Sequence, residues 1–189
     1  MIYIDVQHTG QAKRPNAMGA SIGDKMEEQE AYWTGLYAFF CGMRLRELGY
    51  DVIQLSDGNY KARHARVNWY EENYPQEKSV YLACHINAGG GSSSIMFYDH
   101  RSGNGKKLAK CMADSMSKLT QISTSKTRPA TPDDWTKNAY YTIKGVQKPV
   151  GICVEPFFID NPENQELLTL DNIKRVGDLL ADGVHLWYN

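Results

Sequence analysis

The sequence predicts an α/β fold: a single three-layer domain with a twisted, mostly parallel central sheet of about six strands flanked by helices. Two observations carry this. Short apolar runs of strand length alternate with longer stretches whose apolar residues recur at helical spacing. The chain of 189 residues is long enough for one well-filled core, and no repeat, linker or low-complexity tract divides residues 1–189.

The elements follow in order. IYIDVQ, residues 2–7, reads as a buried first strand, and residues 9–24 as a loop. Asp24 is placed to cap the first helix, with Glu27 three positions on as its capping-box partner. Trp33, Leu36, Tyr37, Phe40 and Met43 make the stripe of that helix, and Gly49 stops it. YDVIQL is the second strand, residues 60–73 a helix, KSVYLACH the third strand and SSIMFYDH the fourth. Residues 104–119 form a helix with Leu108, Met112, Met116 and Leu119 on one face. The polar stretch at 120–138 reads as a long loop. AYYTIK and PVGICVEPFF read as the last two strands. The final helix runs from about Pro162 to Trp187, with Ile173, Val176, Leu180, Val184 and Trp187 as its stripe.

Charge and composition narrow the function. A net charge of −1 gives no basic footprint for nucleic acid, and no apolar run is long enough to span a bilayer. The N-terminus has neither a basic segment nor a long apolar one, so synthesis in the cytoplasm without a signal peptide is expected. Cys41, Cys84, Cys111 and Cys153 lie far apart with no C-x-x-C pair, which argues against a zinc knuckle or a thioredoxin-like motif.

In an open α/β sheet, ligands collect beyond the carboxyl ends of the strands. Three strands here end in chemistry-bearing residues: His8, His85 and Glu155. The first helix opens with Glu27, Glu28 and Glu30. Two histidines and a carboxylate, with one position left open, is a common way to hold catalytic Zn²⁺, and a further carboxylate then serves as general base. Glu155 ends an apolar strand, where an acid must be paired, solvated at a cleft or bound to metal. Glu30 lies one turn before Trp33–Tyr37, so it is the best placed of the helix acids; Glu27 shares its face and stays an alternative.

Rival readings attach to the same residues. Cys84–His85 has the types of a nucleophilic pair, but neighbours on a strand point to opposite faces. The AGGGSSS loop, residues 88–94, has the types that cradle phosphate, but no Walker lysine and no helix start follow it. His64, His100 and His185 read as structural: His64 and His185 on helices, His100 at the far end of its strand.

Taken together, the segments resemble the zinc-dependent N-acetylmuramoyl-L-alanine amidases of the type-3 class, over nearly the whole chain. IYIDVQHTG resembles the strand ending in a zinc-binding histidine, here His8. EAYWTGLYAFFCGMRLRELGYDV resembles the helix opening with the glutamate ligand, here Glu30. ARVNWYEE resembles the family's Arg- and Asn-bearing helix. ACHINAG is similar to the strand end carrying the third ligand, here His85, with Asn87 beside the substrate cleft. VGICVEPFFIDN resembles the stretch carrying the catalytic glutamate, here Glu155, in a form closest to phage endolysin catalytic domains. Gln7 and Thr9 stand where the family has glycines, and Pro156 where it has a small residue.

The resemblance implies one Zn²⁺, peptidoglycan as partner, and hydrolysis of the amide joining N-acetylmuramic acid to L-alanine. It further implies a monomeric bacteriolytic endolysin that reaches the wall after release from the host cell. Another zinc peptidase or amidohydrolase acting on wall peptides, or a non-catalytic wall-binding module, are the alternatives. No separate wall-binding domain is expected within residues 1–189.

Overall fold

The computed structural model describes residues 1–8 and 18–189. Thr9 and most of the expected 9–24 loop lie outside the described residues. Six strands make one sheet: β1 (Ile2–Val6), β2 (Val52–Leu55), β3 (Val80–Cys84), β4 (Ser93–Asp99), β5 (Thr124–Ala130) and β6 (Val150–Glu155). Their order is β2-β1-β3-β6-β4-β5. β2, β1, β3 and β6 run parallel, β4 runs against β6, and β5 runs parallel to β4. Among the described residues the α-helices are α1 (Glu30–Glu47), α2 (Tyr60–Asn73), α3 (Gly103–Met116), α4 (Lys137–Ile143) and α5 (Leu170–Tyr188).

Strand alternation sorts side chains to two cores. Ile2, Ile4, Val6, Leu82, Cys84, Ile152 and Val154 meet α1, α3 and α5 on one face. Tyr3, Tyr81, Ala83, Phe97 and Cys153 meet α2 and α4 on the other. The stripes of α3 and α5 are buried as their spacing predicts, with Trp187 half-buried at the rim. Asn59 and Ser102 cap α2 and α3, accepting the backbone N–H of Ala62 at 3.0 Å and of Gly105 at 2.9 Å. No described helix is long and apolar enough to cross a membrane.

Several expectations are corrected. AYYTIK is not a strand: it belongs to α4, where Ala139, Tyr140 and Ile143 bury one face against the sheet. Its aromatic and β-branched residues favour strands in isolation, and packing overrides that preference. The 120–138 stretch is not all loop, since Thr124–Ala130 pairs along β4 as an edge strand. Asp24 does not cap α1. A 3₁₀ turn at Met26–Glu28 precedes that helix, and Glu28 Oε2 accepts the Lys25 N–H at 2.7 Å. Met43 faces solvent rather than the core. The last helix starts at Leu170, after a separate 3₁₀ turn at Asn164–Leu167.

Candidate metal and catalytic site

Beyond the carboxyl ends of β1, β3 and β6, on the α2/α4 side, the chain gathers His8, His85 and Glu155; α1 delivers Glu30 to the same place. His8 Nε2 lies 3.1 Å from His85 Nδ1, and Glu30 Oε1 lies 3.3 Å from each. Such separations match the edge of a tetrahedron with bonds of about 2.0 Å, the length at which zinc takes imidazole nitrogen and carboxylate oxygen. The three donors thus fit a metal ion in both chemistry and spacing. Glu27 stays exposed on the preceding turn, so Glu30 is the acid at this cluster.

Each side chain is held by its local structure. Glu30 is buried as the first residue of α1. Its Oε2 accepts the Ala20 N–H at 2.8 Å and its Oε1 the Ile86 N–H at 3.0 Å. Gly19, at φ +79°, sits against this carboxylate; a Cβ there would approach Glu30 Oε2 to 2.2 Å, so only glycine suits the position. Tyr37, two turns along α1, donates its hydroxyl to the His85 carbonyl at 2.7 Å. His8 adopts φ +61°, a left-handed conformation that costs a non-glycine residue energy and turns the chain sharply after β1.

Electrostatics favour a bound cation. Burial lowers the His85 pKa despite the neighbouring Glu30 carboxylate, leaving the neutral imidazole that a metal requires. Burial alone would raise Glu30, but hydrogen bonds with His8 and His85 outweigh it and hold the carboxyl well below its ordinary value. Glu155, at the end of β6, is pushed well above the usual carboxylate range, first by burial and then by the charge of Glu30. Among the described residues, His85 Nε2 and Glu155 Oε2 are buried without a hydrogen-bond partner. A buried polar atom without a partner costs folding energy.

Beneath the cluster, on the same face, lies a second polar group that sequence reasoning missed. Asp5 Oδ1 pairs with Arg63 Nε at 2.5 Å, and its Oδ2 accepts from Gln7 Nε2 at 2.6 Å and from the Tyr81 hydroxyl. Arg63 also donates to Gln7 Oε1 at 3.2 Å and to the Gly58 carbonyl at 2.5 Å. The network ties Asp5 of β1 and Gln7, the residue before His8, to α2. Burial pushes Asp5 up to about 6 against the pull of Arg63, Tyr81 and Gln7. An Asp in an otherwise apolar strand was the available signal.

The chain belongs to the N-acetylmuramoyl-L-alanine amidase family. The family model matches residues 2–185. No curated protein sequence gives a significant match. Among solved structures, Cwp6 from Clostridium difficile superposes with a TM-score of 0.79 at 22% identity, covering 100% of this chain and 29% of that one. This chain therefore spans under a third of the length of Cwp6. The amidase AmiC2 of Nostoc punctiforme gives 0.74 at 17% identity, with 99% and 96% covered. The catalytic domain of the CD27L endolysin targeting Clostridia Difficile gives 0.63 at 19%, with 98% and 96% covered. At these identities the likeness establishes a shared fold.

The remaining residues of this chain fall as follows. Asn87 extends the sheet beyond β3, its N–H bonding the Phe157 carbonyl at 3.0 Å; its own Oδ1 accepts the Ala88 N–H at 2.8 Å. The glycine loop does make an N–H cradle, but Asp160 fills it: Gly89 and Gly90 donate to that carboxylate at 2.8 and 3.1 Å. Cys84 is buried on the α1 side, away from the His85 ring, as strand alternation requires. His64 is buried, its Nε2 on the Thr142 carbonyl at 2.7 Å, and His100 lies at the opposite end of the sheet beside Ala130.

Proposed function

We propose that this protein is a zinc-dependent amidase that hydrolyses the bond between N-acetylmuramic acid and L-alanine in peptidoglycan, acting as an endolysin on the bacterial wall. The convergence of His8, Glu30 and His85 beside Glu155 in a chain of this family carries the reading. His8 Nε2, Glu30 Oε1 and His85 Nδ1 would hold the ion. When bound, zinc supplies a Lewis acid for the amide carbonyl and makes water more acidic.

Glu155 accepts a proton from the attacking water and returns it to the nitrogen of the departing L-alanine. Its burial suits this task, since a desolvated carboxylate binds a proton tightly and keeps it from bulk solvent. Glu30 remains anionic because hydrogen bonds with His8 and His85 outweigh its burial and hold the carboxyl well below its ordinary value. Tyr37 fixes the His85 backbone, and Asn87, at the rim, would orient the substrate. The overall likeness to the CD27L catalytic domain supports the endolysin reading.

Mass spectrometry of peptidoglycan digested by the purified protein tests the reaction. New L-alanine amino termini, with no other bond cut, are expected. Cleavage inside the stem peptide instead would make the protein a wall peptidase, and an intact wall would make it a binding module.

A further inference from the structure

We infer that Lys126 and Arg128 on the edge strand β5, with Trp135 beside Arg128, form the subsite that receives the carboxylates of the peptidoglycan stem peptide. This rests on the amidase reading and deepens it.

Register places these residues. Ile95 of β4 is directly opposite Glu155 of β6 on one side and Lys126 of β5 on the other. Phe97 likewise stands between Cys153 and Arg128. Directly paired residues share a face, and Ile95, Phe97 and Cys153 belong to the core on the α2/α4 side. Glu155, Ile95 and Lys126 therefore form one row across the sheet, with Arg128 in the next row. Two strand spacings of about 4.8 Å put the Lys126 backbone about 10 Å from that of Glu155. An extended peptide rises about 3.3–3.6 Å per residue, so about three residues bridge the gap.

The cations are available. Lys126 and Arg128 are exposed, and among the described residues neither sits in an ion pair. Asp134, the acid that feels Arg128, is already engaged by the Thr136 hydroxyl at 2.5 Å. Trp135 is 64% exposed, yet held: its ring meets Phe97 edge-on with centroids 5.9 Å apart, and the Arg128 guanidinium lies 5.3 Å from its centre. Charge on an edge strand also deters strand-to-strand aggregation. That role does not call for an indole laid over the guanidinium, which stiffens the cation and leaves an apolar wall beside it. A peptide with its scissile amide at Glu155 and its chain directed toward β5 would bring its acidic residues to Lys126 and Arg128.

Two soluble muramoyl-peptides test this, one with free carboxylates beyond L-alanine and one with those groups amidated. Binding is read calorimetrically on metal-stripped protein, and kcat/KM on zinc-loaded protein. The double variant Lys126→Gln/Arg128→Gln should lose at least about 10-fold in affinity and in kcat/KM for the acidic peptide, with little change for the amidated one. Trp135→Ala should move both in the same direction by less. Equal behaviour of wild type and double variant toward the acidic peptide overturns the subsite, as does an equal loss on both peptides. Loss of affinity for a glycerol-phosphate polymer alone overturns it too, and assigns the cations to a different wall component. Wild-type protein that neither binds nor cleaves either peptide overturns the amidase reading itself.

Discussion

Two buried polar groups sit one above the other on the same face of the sheet, and they solve the problem of buried charge in opposite ways. In the lower one, Asp5 is surrounded by Arg63, Gln7 and Tyr81, and both carboxylate oxygens are engaged. In the upper one, His8 Nε2, His85 Nδ1 and Glu30 Oε1 converge with the spacing of metal donors, and the charged neighbour of Glu155 is another carboxylate, Glu30. The first group neutralises itself and so serves the fold. Among the described residues the second gathers two carboxylates and two imidazoles around no such internal cation, and so suits a bound one. A counter-charge supplied by the chain itself, rather than burial, separates the strut from the site.

The sharpest break between the two is kinetic. Glu155→Gln keeps size and burial but cannot carry the proton, so kcat should fall by about 10²–10⁴ with zinc content unchanged. A variant that still solubilises walls at the wild-type rate would remove Glu155 from the reaction. Arg63→Met tests the other group, and its readout is stability. Taking away one partner leaves Asp5 buried and uncompensated, at a cost of about 3–5 kcal/mol in urea unfolding. A change no larger than that of a surface substitution would mean that the network is not the strut described here.

Metal addition should act on the upper group alone. Zinc at about 100 times its Kd should stabilise the wild type by about 2.7 kcal/mol. His85→Ala should abolish that gain, and Arg63→Met should keep it. Thermal melts with and without chelator read all three. The smallest effect is expected at Asp57, an exposed residue that pairs with Arg66, one turn along α2 from Arg63. Hydrogen bonds from Arg66 hold the Asp57 carboxyl down at about 2. A depressed carboxyl stabilises the fold above its ordinary value of 3.8, and that contribution is lost as pH falls through about 2. Asp57→Asn should scarcely move the melting temperature at pH 7, and the two proteins should converge below about pH 2.

Local pattern made much of this legible. His8, His85 and Glu155 each end a strand whose apolar run is visible, and the rule that ligands gather at strand ends brings them together on paper. Glu30 followed from its place one turn before the Trp33–Tyr37 stripe. The supporting residues were hidden for stated reasons. Gly19 looks like any loop glycine until its contact with Glu30 is seen. Tyr37 reads as a core aromatic because its hydroxyl partner, the His85 carbonyl, lies 48 residues away. Arg63 reads as part of a solvated helix face because its partner Asp5 is in another element.

The sequence by itself determined the α/β class, the core stripes of α3 and α5, and the residue types available for metal and proton chemistry, because periodicity and strand-end position are local properties. Only the tertiary structure decided that TSKTRPA is a strand and that AYYTIK is helical. An edge strand exists through the partner that accepts its hydrogen bonds, and a short helix through the face it buries. Likewise, only the fold decided which polar residues satisfy one another and which are left wanting, since that depends on distances between atoms many residues apart.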